Sequence, residues 1–315
     1  MEPSLASGGD LGRPEGVVAV IGRRPRGRSS TEDWRHPFWP SPSLDRFVVS
    51  YPKAGRTWLR VMLAVAEAHA RGARAEAVVE EWLREDAPRL DGRRVLFTHA
   101  LSTLSREPPD AVRLFLRYIG GGRRVFLVRD PRDVVVSHFF QLTRRAGRAR
   151  DVASIGEFVR DERRGVDRIL RFLLACELSL REDDGPALLV SYERLQHDPA
   201  TALEAVLRLL DAPAAPGAVE AAVEFARFDK LRELERSGGL GAGRRLDVRD
   251  DEDPESRKIR RGKVGGYVDY LSQDDVAYVE SRIAELLPAA CGYSEPGVPP
   301  EVRAGSLSAF PLHAG

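Results

Sequence analysis

Cysteine is almost absent from this chain. Two occur in 315 residues, Cys176 and Cys291, and neither stands in a C-x-x-C or metal-ligand spacing. A disulfide framework is thereby excluded as the source of stability, and a reducing compartment fits. No His/Cys/Asp cluster at ligand spacing occurs either, so no metal is expected. No apolar run approaches the length that spans a bilayer. The chain does not open on a charged segment followed by a long apolar one; the run at 16–22, Gly-Val-Val-Ala-Val-Ile-Gly, is too short and too late for a leader. These absences predict a cytoplasmic protein with no integral membrane part. A charge excess is missing as well. Lys and Arg number 49 against 48 Asp and Glu, a net charge of +1, which argues against nucleic acid as a partner and against a polybasic membrane binder.

What is present is enough for a packed core, with 43% hydrophobic and 31% charged residues. Residues 1–37 are rich in Arg, Gly and Pro and read as a flexible arm. A domain is expected over 38–292, followed by an irregular, Pro- and Gly-rich tail over 293–315. Short apolar runs bounded by charge or turn residues predict buried strands at Arg46–Ser50, Arg94–Phe97, Arg124–Val128 and Ala187–Val190. Helical patterns lie between and after them, at Thr57–Ala70, Arg132–Arg144, Ile155–Glu177, Ala200–Leu209, Ala218–Phe225 and Gln273–Leu287. Strands alternating with helices imply an α/β fold with a central parallel sheet flanked by helices. Gly238–Gly243 and the acidic run Arg249–Glu255 read as a long mobile segment. No internal repeat is visible.

The first strand runs into Tyr51-Pro52-Lys53-Ala54-Gly55-Arg56-Thr57-Trp58. A strand feeding a helix through such a turn aims backbone N–H groups and the positive end of the helix dipole at one spot, which favours phosphate. Pro52 stiffens the turn, Gly55 lets the backbone approach a ligand, Lys53 adds charge and Thr57 a hydroxyl. Set against the Walker A pattern G-x-x-x-x-G-K-[ST], Ser50 stands at the first glycine and Arg56 at the lysine, so the match is incomplete. The spelling instead resembles the 5′-phosphosulfate loop of the PAPS-dependent sulfotransferases, Y-P-K-S-G-T-T-W. That resemblance implies a single domain with a P-loop-NTPase-like fold, and a loop, Lys53 to Trp58, that holds the donor PAPS (3′-phosphoadenosine 5′-phosphosulfate).

A second strand-turn-helix lies at Arg124–Phe139. Asp130 is a plausible N-cap, Pro131 takes the first helical position, and Arg129 ends the strand where open α/β sheets place ligands. Arg129 offers a bidentate fork to phosphate and Ser137 a hydroxyl. Asp130 reads as only a cap, and Arg132 and Asp133 as a solvated face. In the family this segment uses an arginine, and a serine eight residues on, for the 3′-phosphate; Arg129 and Ser137 match. The family's serine also contacts the loop lysine, which would pair Ser137 with Lys53. A third segment, Arg257-Lys258-Ile259-Arg260-Arg261-Gly262-Lys263-Val264-Gly265-Gly266-Tyr267, is similar to the family's R-K-G-x-x-G-D-W. Arg260, Arg261, Gly262 and Gly265 match, while Gly266 and Tyr267 replace the Asp-Trp pair.

His99 follows the strand in Phe97-Thr98-His99, which resembles the family's K-T-H with Phe97 at the lysine. The resemblance makes His99 the base that deprotonates the acceptor, Lys53 the cation on the leaving phosphate, and Ser137 a third catalytic residue. It likewise places Trp58, Tyr192 and Phe228 near the adenine, by likeness to the loop tryptophan, the Y-E-x-L/M signature and T-S-F-x-x-[LM]. His138 is the rival base. The expected reaction is sulfuryl transfer from PAPS to a hydroxyl or amine of a small-molecule or glycan acceptor. A P-loop kinase using ATP and magnesium, or a nucleotide-binding regulator without catalysis, are the other readings. Acceptor loops are expected at Arg71–Arg93, Gln141–Arg168 and Ser237–Pro254, polar and with Trp82 and Phe158 as their aromatics. No motif bears on oligomeric state.

Overall fold

The computed structural model describes residues 44–99, 119, 121–147, 149, 151–182, 185–237, 253–288, 291–294 and 303–305. The expected arm at 1–37, the mobile run at 238–243 and most of the tail fall outside these residues. Strands β1 (Arg46–Ser50), β4 (Leu96–Thr98), β5 (Arg123–Val128) and β6 (Ala187–Ser191) form a parallel sheet in the order β4-β1-β5-β6. A fifth strand, β7 (Arg303–Gly305), joins β6 antiparallel. The tail expected to be irregular thus closes one sheet edge. The remaining strands, β2 (Arg89–Leu90) and β3 (Arg93–Arg94), form a small antiparallel hairpin.

Strands buried on both faces read as continuous apolar runs, because each pleat face meets helices. Phe47, Val49, Phe126, Val128 and Leu189 point into one core, and Val48, Val125, Leu127, Leu188 and Val190 into the other. Helices α1 (Arg56–Arg71), α2 (Ala75–Arg84), α7 (Pro199–Leu209) and α8 (Ala218–Phe225) cover the second face. Helices α3 (Pro131–Phe140), α4 (Ile155–Arg160), α5 (Val166–Glu182) and α10 (Gln273–Leu286) cover the first. Each Val or Leu fully buried in these layers contributes about 1.5–3 kcal/mol. Two short helices, α6 (Tyr192–His197) and α9 (Phe228–Ser237), complete the set. Among the described residues no helix is long and apolar enough to cross a membrane.

Three departures from the sequence reading have local causes. The helix expected over Ile155–Glu177 is two, because the Asp161 carboxylate accepts the backbone N–H groups of Arg163 and Arg164 at 2.8 Å each, and Gly165 sits where an added Cβ would lie 2.4 Å from the Val159 carbonyl. The helix over Arg132–Arg144 gives way after Phe140 to a π-helical turn, Gln141–Arg145, where the Thr143 hydroxyl donates to the Phe139 carbonyl at 2.8 Å. The proposed acceptor-loop aromatics are corrected: Trp82 and Phe158 are both 0% exposed, core residues of α2 and α4. Helices α2, α6 and α9 were not expected.

Candidate functional site

The C-terminal ends of the four parallel strands converge on one cleft. Lys53 follows β1, His99 follows β4, Arg129 follows β5 and Tyr192 follows β6; all four line it. The cleft has about 1140 Å³ of space including its open mouth, enough for a nucleotide. Its wall also includes Gly55, Arg56, Thr57, Trp58, Ser137, Phe228, Arg260, Arg261 and Gly262. Of the residues singled out in the sequence, Ala54 alone lies beneath the loop, fully buried, its N–H donating to the Tyr51 carbonyl at 3.3 Å.

Helix α1 starts at Gly55 with no side-chain cap and no acidic residue in its first turn. Helices α2 and α8 also lack a side-chain cap, whereas α3, α4, α6, α7 and α10 are capped by Asp130, Ser154, Ser191, Asp198 and Ser272. The first N–H groups of α1 and the positive end of its dipole are left facing the cleft, ready for an anion. Gly55 has φ 97°, and an added Cβ would lie 2.6 Å from Cδ2 of Tyr192. We therefore expect Gly55→Ala to lower unfolding free energy by about 1–3 kcal/mol, read by urea denaturation. In a double-mutant cycle Gly55→Ala should cost less in a Tyr192→Ala background than in the wild type, by the clash component; an unchanged cost would count against the clash.

Lys53 was not expected to be strained, yet it has φ 74° in the left-handed region. Its Nζ lies 3.4 Å from Oε1 of Gln141 and 3.4 Å from the Lys258 carbonyl. The π turn is what brings Gln141 there. Ser137 lines the same cleft, but the ammonium's hydrogen bonds go to these two oxygens rather than to it. Burial, then the charges of Lys258, Arg145, Arg260 and Arg129, hold the Lys53 pKa well below the usual lysine range. Seven lining side chains are cationic (Lys53, Arg56, Arg129, Lys258, Arg260, Arg261, Lys263) and one, Asp133, is acidic. On a chain of net charge +1 this concentration is local, and it suits a polyanion.

His99 donates from Nδ1 to the Ser50 carbonyl at 2.7 Å, with the Ser50 hydroxyl at 3.3 Å. That tautomer puts the imidazole lone pair on Nε2. Burial first, and Arg56 and Lys258 next, push the His99 pKa well below the usual histidine range, against the bond to Ser50 that raises it. The ring is therefore neutral and able to accept a proton. Arg56 itself donates to the Phe97 carbonyl at 3.3 Å. The rival base, His138, is packed edge-on against Tyr51 at 5.5 Å and Phe158 at 5.7 Å, and is not part of the cleft wall.

Arg129 stacks over the Tyr192 ring at 4.2 Å and donates to the Lys263 carbonyl at 3.0 Å, while its Nε is buried without a hydrogen-bond partner. A phosphate oxygen would satisfy that orphan donor, so the residues present fit the phosphorylated nucleotide that the motifs imply. Trp58 donates from its indole N–H to the Ala226 carbonyl at 2.9 Å and meets Tyr192 edge-on at 5.6 Å. The Phe228 ring is 37% exposed and closes over Gly262, whose added Cβ would lie 2.6 Å from it.

The expectation that Arg132 and Asp133 form a solvated face is corrected. Arg132 is 0% and Asp133 3% exposed. Asp133 accepts the backbone N–H groups of Gly265 at 2.9 Å and Tyr267 at 3.0 Å, and so fastens the third segment over the cleft. Asp130 is the expected cap, accepting from the Arg132 N–H at 2.9 Å. A second carboxylate, Glu235 of α9, accepts from Lys258 N–H at 2.7 Å and Ile259 N–H at 3.0 Å. Arg260 is paired with Glu255 at 2.8 Å and donates to the Tyr270 hydroxyl at 2.7 Å; Arg261 is paired with Asp269 at 2.9 Å. Lys258, Lys263, Gln196, Gln141 and Glu235 escaped the sequence reading. Only the two lysines carried a signal, the charge run itself, and nothing local marks Gln141 or Glu235.

Comparison with known proteins agrees with this geometry. The sulfotransferase domain profile matches residues 44–289. Cytosolic sulfotransferase 17 of Arabidopsis thaliana is 23% identical over 277 residues, covering 79% of this chain and 75% of that protein. Among solved structures, retinol dehydratase in a complex with retinol and PAP superposes with a TM-score of 0.55 at 19% identity. The same enzyme with androsterone and inactive cofactor PAP gives 0.53 at 20%; both alignments cover 78% of this chain and 81% of the other. Those identities carry the fold, a P-loop-NTPase-like arrangement of central parallel sheet and flanking helices. Profile, curated relatives and fold coincide, and the chain belongs to the sulfotransferase domain family.

Proposed function

We propose that this enzyme transfers the sulfuryl group of PAPS to a hydroxyl or amine of a small-molecule acceptor, with its reacting centre between His99 and Lys53. The observation that carries this reading is the convergence of Lys53, His99, Arg129 and Tyr192 from four strand ends around an uncapped helix N-terminus. The donor supplies an activated S–O bond whose leaving group is a phosphate. His99 takes the acceptor's proton as the acceptor oxygen or nitrogen attacks sulfur, opposite the bridging oxygen. As that S–O bond breaks, its electron pair passes to the phosphate oxygen, and Lys53 stabilises the charge appearing there. The products are a sulfated acceptor, adenosine 3′,5′-bisphosphate (PAP) and the proton held on His99. Arg129 and Ser137 hold the 3′-phosphate, and Trp58, Tyr192 and Phe228 surround the base; the α1 N-terminus, with Gly55, Arg56 and Thr57, receives the 5′-phosphosulfate. Arg260, Arg261 and Gly262 close over the nucleotide. A polar or acidic acceptor suits the cations of the cleft.

Isothermal titration of PAP tests this directly. Micromolar binding is expected, weakened at least tenfold in Arg129→Ala, which loses charge-assisted hydrogen bonds worth roughly 1.5–3 kcal/mol. Stronger binding of ATP with magnesium would sink the reading in favour of a kinase. Binding of PAP without turnover of any acceptor would leave a nucleotide-binding regulator.

A further inference from the structure

Phe97, two residues before His99, is 2% exposed, edge-on to Trp82 and beneath the Arg60 guanidinium at 4.1 Å, so β4 brings no cation to this end of the cleft. The third segment does. Lys258 lines the cleft with Lys53 and His99, and its own carbonyl lies 3.4 Å from Lys53 Nζ. The backbone there is fixed by three hydrogen bonds: Glu235, 2% exposed, accepts from the N–H groups of Lys258 and Ile259, and Arg145 donates to the Ser256 carbonyl at 3.2 Å. A buried carboxylate that receives two backbone amides holds a strand of chain in one place.

Resting on the functional reading above, we infer that Lys258 is a further catalytic residue, placing a second ammonium beside Lys53 on the 5′-phosphosulfate end of the donor. The segment that covers the nucleotide thereby also completes the reacting centre. The charged and titratable groups facing His99 are Arg56 from α1, Lys258 from this segment and His138 from α3. Lys258 therefore has a readout separate from binding: its charge adds to the burial and the Arg56 charge that lower the His99 pKa.

The test compares wild type, Lys258→Met and, as a charge control outside the cleft, Lys230→Met. PAPS affinity is measured by isothermal titration, and the His99 ring is titrated by NMR, with its signal assigned by its loss in His99→Gln. Lys258→Met should weaken PAPS binding about tenfold or more and move the His99 titration to higher pH, while Lys230→Met does neither. PAPS binding within threefold of wild type, or an unmoved His99 titration, overturns the inference while leaving the functional reading intact. Absence of PAPS binding to the wild type overturns both.

Discussion

His99→Gln should lower kcat for sulfuryl transfer by about two to four orders of magnitude, the usual contribution of a general base, while the Kd for PAPS stays within about threefold. Glutamine keeps an N–H able to donate to the Ser50 carbonyl, so the end of β4 should hold its shape. It has no basic nitrogen to take the acceptor's proton. Rates are measured on whichever probe acceptor the wild type sulfates, from a panel of phenols, alcohols, amines and sugars. The pH dependence follows from the direction of the shift. Burial, Arg56 and Lys258 favour the neutral ring, so the proton leaves His99 at a pH below the ordinary value of 6.5. The active, unprotonated form then persists as pH falls through 6.5, and the acid limb of kcat/KM lies below that value. An acid limb at or above 6.5, or a variant with near wild-type kcat, would remove His99 from the reaction.

Lys53→Met should lower kcat by about a hundredfold to a thousandfold, as removal of a preorganised charge stabiliser does, with a smaller change in KM for PAPS. The interaction grows as the bridging oxygen acquires charge, and only such an interaction acts mainly on kcat. Lys53→Arg is not expected to restore the rate, because a longer, planar guanidinium does not reproduce the point charge that the ammonium places between the Gln141 side chain and the Lys258 carbonyl. Lys53 also carries a binding signature. Burial and four neighbouring cations lower its pKa well below 10.5. An arriving phosphate opposes those cations and raises it again. Between the two values, PAP binding takes a proton from solution. Titration at mildly alkaline pH in buffers of different ionisation enthalpy should detect that uptake, and Lys53→Met should abolish it. Wild-type binding with no uptake would mean that Lys53 is fully charged before the ligand arrives.

Much of the fold was legible because its signals are local. Phe47-Val48-Val49 is apolar throughout, and alternate residues enter opposite cores, as a strand covered on both faces requires. Pro131 after Asp130 marked the start of α3 as capped. The break at 161–165 was less legible because its signal is a side chain, Asp161, turning back on its own backbone within an otherwise helical pattern. Strand β7 and the burial of Asp133 depend on distant partners, in the register Ala187↔Gly305 to Leu189↔Arg303 and in the bond to Gly265, 132 residues on.

The parallel α/β architecture was readable from the sequence, and resemblance to the family motifs pointed to three segments proposed to bind phosphate and to Lys53, His99, Arg129 and Ser137, because each lies in a short motif that is read locally. Only the tertiary structure decided how the motifs become one site. Parallel strands bring their C-terminal ends to one edge, so Lys53, His99, Arg129 and Tyr192 meet there although they lie far apart in the chain. A π turn carries Gln141 to Lys53. Two buried carboxylates, Asp133 and Glu235, bind backbone amides of the covering segment and so hold it against the cleft. Such contacts leave no periodic trace, since a carboxylate that pairs with distant amides has the same local surroundings in sequence as one that faces water.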